Sequence, residues 1–208
     1  MRKGWKYLAV LLAVILFASA WYLRVRHVNN SITVSTPKYY AMGETVPYED
    51  DFFYRADPET NPYKIVVNEA KLVPFRQYME DMGLDLERWQ SEGVGTDEPQ
   101  YIYDIHITVI CDGESPDGMG IDLFNTLLTT SRVRLRVDMA VFSQLYPQLQ
   151  GSFTFRLRSN SQMELHFPYR VEMKIEERVA TYDYLKNETL DLILTLYPQK
   201  KMVRVTAE

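Results

Sequence analysis

Cysteine is nearly absent from this chain of 208 residues. Cys111 is the single cysteine, which excludes an internal disulfide and any metal site built from paired thiolates. Because it lies between Ile110 and Asp112 at the end of an apolar stretch, we expect it to be a small core residue. The fold must therefore be held by its apolar core alone.

Histidine is also scarce, with only His27, His106 and His166 in the whole sequence. Histidine is the commonest general base in enzymes, and His106 and His166 fall on outward positions of predicted strands, where we expect solvated surface side chains. The chain contains no G-x-S-x-G elbow, P-loop, H-E-x-x-H pair or dinucleotide fingerprint. We therefore expect no catalytic residue, no cofactor and no enzymatic activity.

One acidic segment comes near a metal-binding pattern. Asp112, Glu114 and Asp117 lie within residues 112–118, and Asp122 lies further on. The first two acids have EF-hand-like spacing, but Pro116 replaces the third ligand and Leu123 stands where the bidentate glutamate is needed. We expect a plain turn here, and a solvated loop at residues 49–51, so no metal site is predicted.

A long apolar run is present at the N-terminus. This run is an uncharged segment of 17 residues, 7–23. Arg2, Lys3 and Lys6 precede it, and Arg24 and Arg26 follow it. At about 1.5 Å per helical residue it spans about 25 Å, and its flanking aromatic and basic side chains can reach the two headgroup regions of a bilayer about 30 Å thick in its core. Residues 1–27 are thus predicted to be a single-pass signal anchor with a cytoplasmic N-terminus. Ala18-Ser19-Ala20 also matches a signal-peptidase site, so a cleaved signal and a secreted domain remain the alternative.

Acidic residues are confined to the part of the chain after this segment. That part holds 18 of the 23 Lys and Arg residues and all 28 Asp and Glu residues, a net charge near −10. Because phosphate binding requires a surplus of Lys and Arg, nucleic acid is excluded as a partner, and adhesion to an anionic membrane surface is disfavoured.

The remaining chain divides into a polar stalk at 28–38 and one domain at 39–208. Residues 63–73 form a strand-like run stopped by Pro74. Apolar residues then recur at steps of three and four, which predicts a helix over 75–82 that ends at Gly83, with a second turn through Trp89.

From residue 100 onward the apolar residues alternate with polar ones. This period of two predicts strands through the following residues: 101–109, 133–137, 153–157, 163–167, 171–175, 190–196 and 202–205. A short helix is predicted near 140–146. The fold class is therefore mainly β, an antiparallel sandwich with a small helical insert, preceded by one transmembrane or signal helix.

The order of these segments resembles a known family. The anchor and stalk are followed by PYKIVVNEAKLV at 62–73, a helical insert, a long alternating strand, GIDL at 120–123 and LYPQKK at 196–201. This order resembles an uncharacterised family of signal-anchored extracytoplasmic proteins of Gram-positive bacteria. The resemblance implies an immunoglobulin-like sandwich in a domain of unknown function, and it supplies no catalytic residue.

Five arginines alternate with apolar residues on two of the predicted strands and form a candidate ligand surface: Arg132, Arg134, Arg136, Arg156 and Arg158. The arginine fork matches carboxylate or phosphate groups, as found in cell-envelope polymers. The alternative is that Glu164, Glu172 and Glu176 lie opposite these arginines as ordinary cross-strand pairs.

A second candidate surface is aromatic. Seven aromatic residues crowd one segment without a regular period: Tyr39, Tyr40, Tyr48, Phe52, Phe53, Tyr54 and Tyr63. We expect core or edge packing for them, with a sugar or peptide platform as the alternative.

The sequence thus predicts a membrane-anchored extracytoplasmic domain that binds an envelope polymer or another envelope protein. A secreted sandwich and an unrecognised cell-surface enzyme are the alternatives.

Overall fold

The computed structural model describes residues 2–31, 36–48, 61–85, 100–114, 120–171, 178–196 and 199–208. The chain divides into two compact units, Met1–Ser35 and Thr36–Glu208. The predicted second helical turn at Trp89 and the aromatic residues at 52–54 lie outside the described residues.

The first unit is one α-helix, α1 (Arg2–Ser31). Its stretch from Val10 to Val28 is long and apolar enough to cross a membrane, a criterion that a signal sequence near the N-terminus also meets. The large apolar side chains of this stretch are exposed, Phe17 to 76% and Leu16 to 62%. The helix also includes 28–31, which the sequence assigned to an extended stalk.

The second unit is mainly β. Its strands are β1 (Lys38–Ala41), β2 (Thr45–Pro47), β3 (Tyr63–Pro74), β4 (Tyr101–Cys111), β5 (Ile121–Asp122), β6 (Leu127–Thr129), β7 (Arg134–Arg136), β8 (Thr154–Phe155), β9 (Ser161–Val171), β10 (Leu190–Thr195) and β11 (Lys201–Val205). Its helices are α2 (Phe75–Asp81), α3 (Met139–Leu145) and α4 (Arg178–Asn187), with a 3-10 helix at Pro147–Leu149.

The strands of the described residues form three sheets. The largest has the order β1-β11-β10-β6-β7, the second the order β2-β3-β4-β9, and β5 pairs with β8. The pairings are antiparallel except that β1 runs parallel to β11. The prediction of a mainly β fold is confirmed, whereas its purely antiparallel pairing is corrected at β1, which lies at the edge of its sheet.

One main hydrophobic core draws buried side chains from both larger sheets. It contains Ile105 and Phe167 of the four-stranded sheet and Leu192 and Val203 of the five-stranded sheet, each with no exposed surface. The period of two explains this, since alternate residues of a strand point to the same side.

A β-bulge in β3 changes which residues face this core. Its register against β4 shifts between Val67 and Glu69, and the core-facing residues change from Ile65 and Val67 to Ala70 and Leu72. A bulge inserts one extra residue and so reverses the alternation beyond it. Glu69 is thereby turned to the opposite side of the sheet, which we call the outer face.

Two short helices cover one end of the outer face. Tyr78 and Met79 of α2 and Val141 of α3 pack with Ile102 of β4 in a second small apolar cluster. The predicted ends of these helices are confirmed within one residue. Helix α2 ends before Gly83, whose φ of 64° suits glycine after a helix.

Strand β9 is longer than predicted. The run at 163–167 and the beginning of the run at 171–175 belong to one strand that continues through Pro168. Proline has no N–H to donate, but its carbonyl accepts a hydrogen bond from the Asp138 N–H at 2.7 Å. Asp138 in turn caps α3 by accepting from the N–H groups of Ala140 and Val141. Residues 172–177 lie outside the described part.

Candidate functional site on the outer face of the four-stranded sheet

The outer face brings together titratable side chains from three neighbouring strands. In the register of the sheet, Glu69 of β3 lies opposite His106 of β4, which lies opposite His166 of β9. We call the following set the outer-face cluster: Glu69, Asp104, His106, Glu164 and His166. Its members point to the same side because their positions alternate with those of the core residues.

Asp104 is the buried centre of the outer-face cluster. Its residue surface is only 6% exposed. Its Oδ1 atom accepts a hydrogen bond from the Tyr78 hydroxyl at 3.0 Å, and its Oδ2 atom lies 2.7 Å from Nδ1 of His166. A carboxylate at this depth requires such partners because burial penalises an unpaired charge.

His166 is held at two of its nitrogen atoms. Its backbone N–H donates to the Tyr146 hydroxyl at 2.7 Å, and its Nδ1 is hydrogen-bonded to Asp104. The pKa of His166 is raised above its ordinary value, chiefly by the hydrogen bond to Asp104, while partial burial opposes the shift. With Nδ1–H donating to the carboxylate, Nε2 of the neutral ring carries the free lone pair.

His106 lies face to face with His166. The two ring centroids are 4.6 Å apart and the ring planes differ by 6°. Nε2 of His106 is buried and has no hydrogen-bond partner within the described residues. A carboxylate oxygen of Glu164 lies 3.5 Å from this nitrogen, too distant for a well-formed hydrogen bond.

The outer-face cluster offers imidazole nitrogens beside carboxylates, a set that can hold protons or cations. Nucleophilic catalysis would further require a hydroxyl or thiol bonded to one of the rings. In the described ranges no serine, threonine or cysteine side chain makes such a bond, and the Thr108 hydroxyl instead accepts from the Asn68 amide at 2.8 Å.

The sequence predicted the positions of the outer-face cluster residues only in part. Alternation correctly put Asp104, His106 and Thr108 on one side of β4, but the expectation of solvated histidines is corrected, because the side chains of His106 and His166 are only 22% and 29% exposed. The pairing of β4 with β9 and the reach of Tyr78 from α2 are non-local. The signal that was available was a carboxylate and a histidine two residues apart on one strand.

The five candidate arginines are all exposed, as predicted. The arginines belong to two different sheets or their flanking residues. Arg132, Arg134 and Arg136 lie on or just before β7 of the five-stranded sheet, whereas Arg156 and Arg158 follow β8 of the two-stranded sheet. In the described pairings β7 and β8 are therefore not neighbouring strands. A shallow depression of about 310 Å³ is lined by 156–159.

The glutamate pairs expected for these arginines differ from the observed contacts. Glu164 lies next to His106, and 172–177, which include Glu172 and Glu176, lie outside the described residues. The Arg132 guanidinium instead lies over the ring of Tyr184, 5.2 Å from its centroid. Whether the five arginines form one ligand surface stays a prediction.

Other candidates from the sequence have structural roles where they are described. Asp112 pairs with the Lys64 ammonium at 2.6 Å, and Asp122 accepts from the Phe124 N–H as in a simple turn. Cys111 is fully buried, and burial raises the pKa of its thiol. Residues 115–119 and 49–51 lie outside the described part, in which no group of three or more His, Cys, Asp and Glu side chains is arranged around a metal position.

The aromatic segment is largely packed where it is described. Tyr48 and Tyr63 belong to the main core, with exposures of 5% and 2%. Tyr39 is 46% exposed, and the Arg204 guanidinium lies over its ring. Core packing, the expected role, thus holds for Tyr48 and Tyr63.

Comparison with known proteins gives one match. No curated protein and no solved structure matches the chain. A family model described as a domain of unknown function, DUF5028, matches residues 37–201. This match covers most of the chain and nearly all of the β unit, so the protein belongs to the DUF5028 family.

Proposed function

We propose that this protein is a single-pass, membrane-anchored domain that acts outside the cytoplasm by binding and without catalysis. The observation that carries the proposal is helix α1, whose apolar side chains between Val10 and Leu23 are exposed although a soluble protein would bury such a surface. A bilayer would cover this surface.

Charge supports both the orientation and the kind of partner. The basic residues before the apolar run favour a cytoplasmic N-terminus, which sends the β unit to the other side. The acidic composition of that unit disfavours nucleic acid and anionic lipid as partners. An envelope polymer or another envelope protein is then the partner class, with the exposed arginines as the proposed contact surface.

The assignment of the β unit to an immunoglobulin-like sandwich belongs to the same proposal. The main core shared by the four-stranded and five-stranded sheets supports a sandwich in which the two sheets pack face to face. An immunoglobulin-like sandwich on an anchor, in Gram-positive bacteria, is the form that the family resemblance suggests.

Location is tested by labelling in intact cells. A Ser159→Cys variant places a thiol on an exposed position of the β unit, and Lys3→Cys places one before the apolar run. With a membrane-impermeant maleimide, we expect labelling at 159 in intact cells and at 3 only after permeabilisation. The reverse pattern would place the β unit in the cytoplasm and overturn the proposal.

Anchoring is tested separately by extraction and mass spectrometry. A spanning helix keeps the intact chain in the membrane fraction through alkaline and high-salt washing, because removal of charge contacts does not release it. Soluble chains that begin at Trp21 would instead establish cleavage after Ala20 and favour the secreted alternative.

A further inference from the structure

The outer face of the four-stranded sheet carries a hydrogen-bonded histidine–carboxylate pair that also contacts two helical regions. We propose that His166 and Asp104 form a pH-sensitive switch, which holds α2 and α3 on the sheet firmly when the imidazole is protonated and less firmly when it is neutral. The inference goes beyond the proposed binding function. It concerns only the outer face, so it does not depend on the membrane anchor.

The His166–Asp104 pair lies between the contacts of the two helices. The Tyr78 hydroxyl of α2 donates to Oδ1 of Asp104 at 3.0 Å, and Nδ1 of His166 lies 2.7 Å from Oδ2 of the same carboxylate. The backbone N–H of His166 donates to the hydroxyl of Tyr146, the residue that directly follows α3. Both helices are thus tied to the sheet through groups of this pair.

The burial of Asp104 makes the proton on His166 important for stability. Asp104 is only 6% exposed, and a buried carboxylate is destabilising unless an opposite charge or hydrogen bonds compensate for the lost water. The protonated His166 ring supplies that opposite charge in direct contact. When the ring becomes neutral, the attraction between the two charges is lost and only neutral donors remain at the carboxylate.

The neighbouring basic side chains have other partners. Lys71 lies opposite Asp104 in the register, but its half-exposed ammonium is bonded to Glu69 at 2.7 Å. Arg170, further along β9, is paired with Asp138. The titratable and charged groups around the pair are Glu69 and Lys71 of β3, His106 of β4, Glu164 of β9, Tyr78 of α2 and Tyr146 after α3.

The stacking of the two imidazoles favours one proton on them over two. The ring centroids of His106 and His166 are 4.6 Å apart and the ring planes are nearly parallel, so two positive charges here would repel each other. His166 is the ring that is bonded to the buried carboxylate. The carboxylate nearest to Nε2 of His106 belongs to Glu164, whose side chain is 64% exposed and lies 3.5 Å away. We therefore assign the proton to His166.

The direction of the pH response follows from the pKa of His166, which is raised chiefly by the hydrogen bond to Asp104, while partial burial opposes the shift. Such a group stabilises the fold below its unfolded value of about 6.5, and this contribution is lost as the pH rises through the folded value. Burial raises the pKa of Tyr78 and of Tyr146, so both hydroxyls keep their protons in this range. The switch therefore holds the helices at mildly acidic pH and loosens them at alkaline pH.

Nuclear magnetic resonance of the full chain in detergent, with ¹³C-labelled histidine, measures this proton directly. We expect one histidine signal to titrate with a midpoint above about 6.5 and to be the signal that is missing from His166→Gln. Asp104→Asn should lower this midpoint, whereas His27→Gln, a change in the first unit, should leave it unchanged. The proposal is overturned if no signal of the parent titrates above the ordinary histidine value, or if the shifted signal is missing from His106→Gln instead.

Hydrogen exchange distinguishes a switch at the helices from a general change of stability. Peptides from α2, α3 and β10 are compared at pH 6 and pH 8.5 after correction for the intrinsic exchange rate. We expect the protection of α2 and α3 to fall about threefold or more at the higher pH and that of β10 to stay constant.

Two carboxylate variants complete the exchange experiment. In Asp104→Asn the pH difference at α2 and α3 should vanish, because the charge that the proton compensates is gone. Glu164→Gln removes an exposed carboxylate from the same face and should keep the difference. Equal loss of protection in α2 and β10 of the parent, or an unchanged pH difference in Asp104→Asn, would show that this pair does not control the helices.

Discussion

The Tyr78 hydroxyl and the Asp104 carboxylate are joined by a hydrogen bond of 3.0 Å that ties helix α2 to strand β4. Tyr78 is 2% exposed and Asp104 is 6% exposed, so neither group has water as a substitute partner. Burial first, and then the Asp104 charge, raises the pKa of Tyr78, which keeps its hydroxyl protonated as the donor at neutral pH.

Removal of this hydroxyl should lower stability measurably. Because hydrogen bonds to charged groups contribute about 1.5–3 kcal/mol, we expect Tyr78→Phe to reduce the free energy of unfolding by about that amount in urea denaturation. The matched control is Tyr39→Phe, since Tyr39 is 46% exposed and should change stability by less than about 0.5 kcal/mol. Equal effects of the two variants would show that the Tyr78–Asp104 bond contributes nothing.

Gly120 is expected to be intolerant of a side chain for a steric reason. A Cβ atom at this position would lie 2.3 Å from the backbone oxygen of Phe155, on the strand that pairs with β5. We expect Gly120→Ala to cost about 1–3 kcal/mol in thermal or urea unfolding, as overpacking does.

Gly83 provides the contrast, because a Cβ there meets nothing within 4 Å but φ is +64°. Gly83→Ala should cost about 1–2 kcal/mol through backbone strain alone. Asparagine tolerates this conformation, so Gly83→Asn should recover part of the loss, whereas Gly120→Asn should recover none. Recovery at both positions would contradict the steric explanation at Gly120.

Cys111 should be unreactive until the domain opens. Its side chain has no exposed surface, and burial raises the pKa of the thiol, so little reactive thiolate is present near neutral pH. We expect negligible modification by Ellman's reagent in the native protein and full modification in urea, in step with the unfolding transition. In a Ser159→Cys variant the added surface thiol should react at once, and rapid reaction of Cys111 in the native parent would show that the core opens locally.

Alternation along single strands was the part of the fold that sequence predicted best. Leu190, Leu192 and Leu194 of β10 are all buried as expected, since the period of two is a property of each strand by itself. The exposed arginines of β7 follow from the same rule. The end of α2 at Gly83 was predictable because helix ends depend on local residues.

Relationships between distant strands were not predictable in this way. The parallel pairing of β1 with β11 depends on strand order, which alternation does not encode. The same holds for the placement of Arg134 on β7 of the five-stranded sheet and of Arg156 directly after β8 of the two-stranded sheet. The half-burial of His106 has the same origin, because it requires β9 beside β4. Non-local packing therefore determines which side chains meet in the outer-face cluster, and the sequence pattern alone does not predict this.

The exposed arginines give the last prediction, which concerns the proposed ligand surface. In the described residues, the contact seen for Arg132 is with Tyr184, and Arg134, Arg136 and Arg156 are exposed. Replacement of these last three by Gln should therefore change the free energy of unfolding by less than about 1 kcal/mol.

If these three arginines bind an anionic envelope polymer, cosedimentation of the parent with isolated envelopes should weaken as salt rises, and the triple Gln variant should lose most of the salt-sensitive binding. The control is the triple variant Arg76→Gln, Lys186→Gln and Arg204→Gln, which removes the same charge from exposed positions elsewhere. Equal binding by the parent and both variants at every salt concentration would exclude the arginines as the ligand surface, whereas an equal loss in both variants would show that net charge, and not this surface, governs the association.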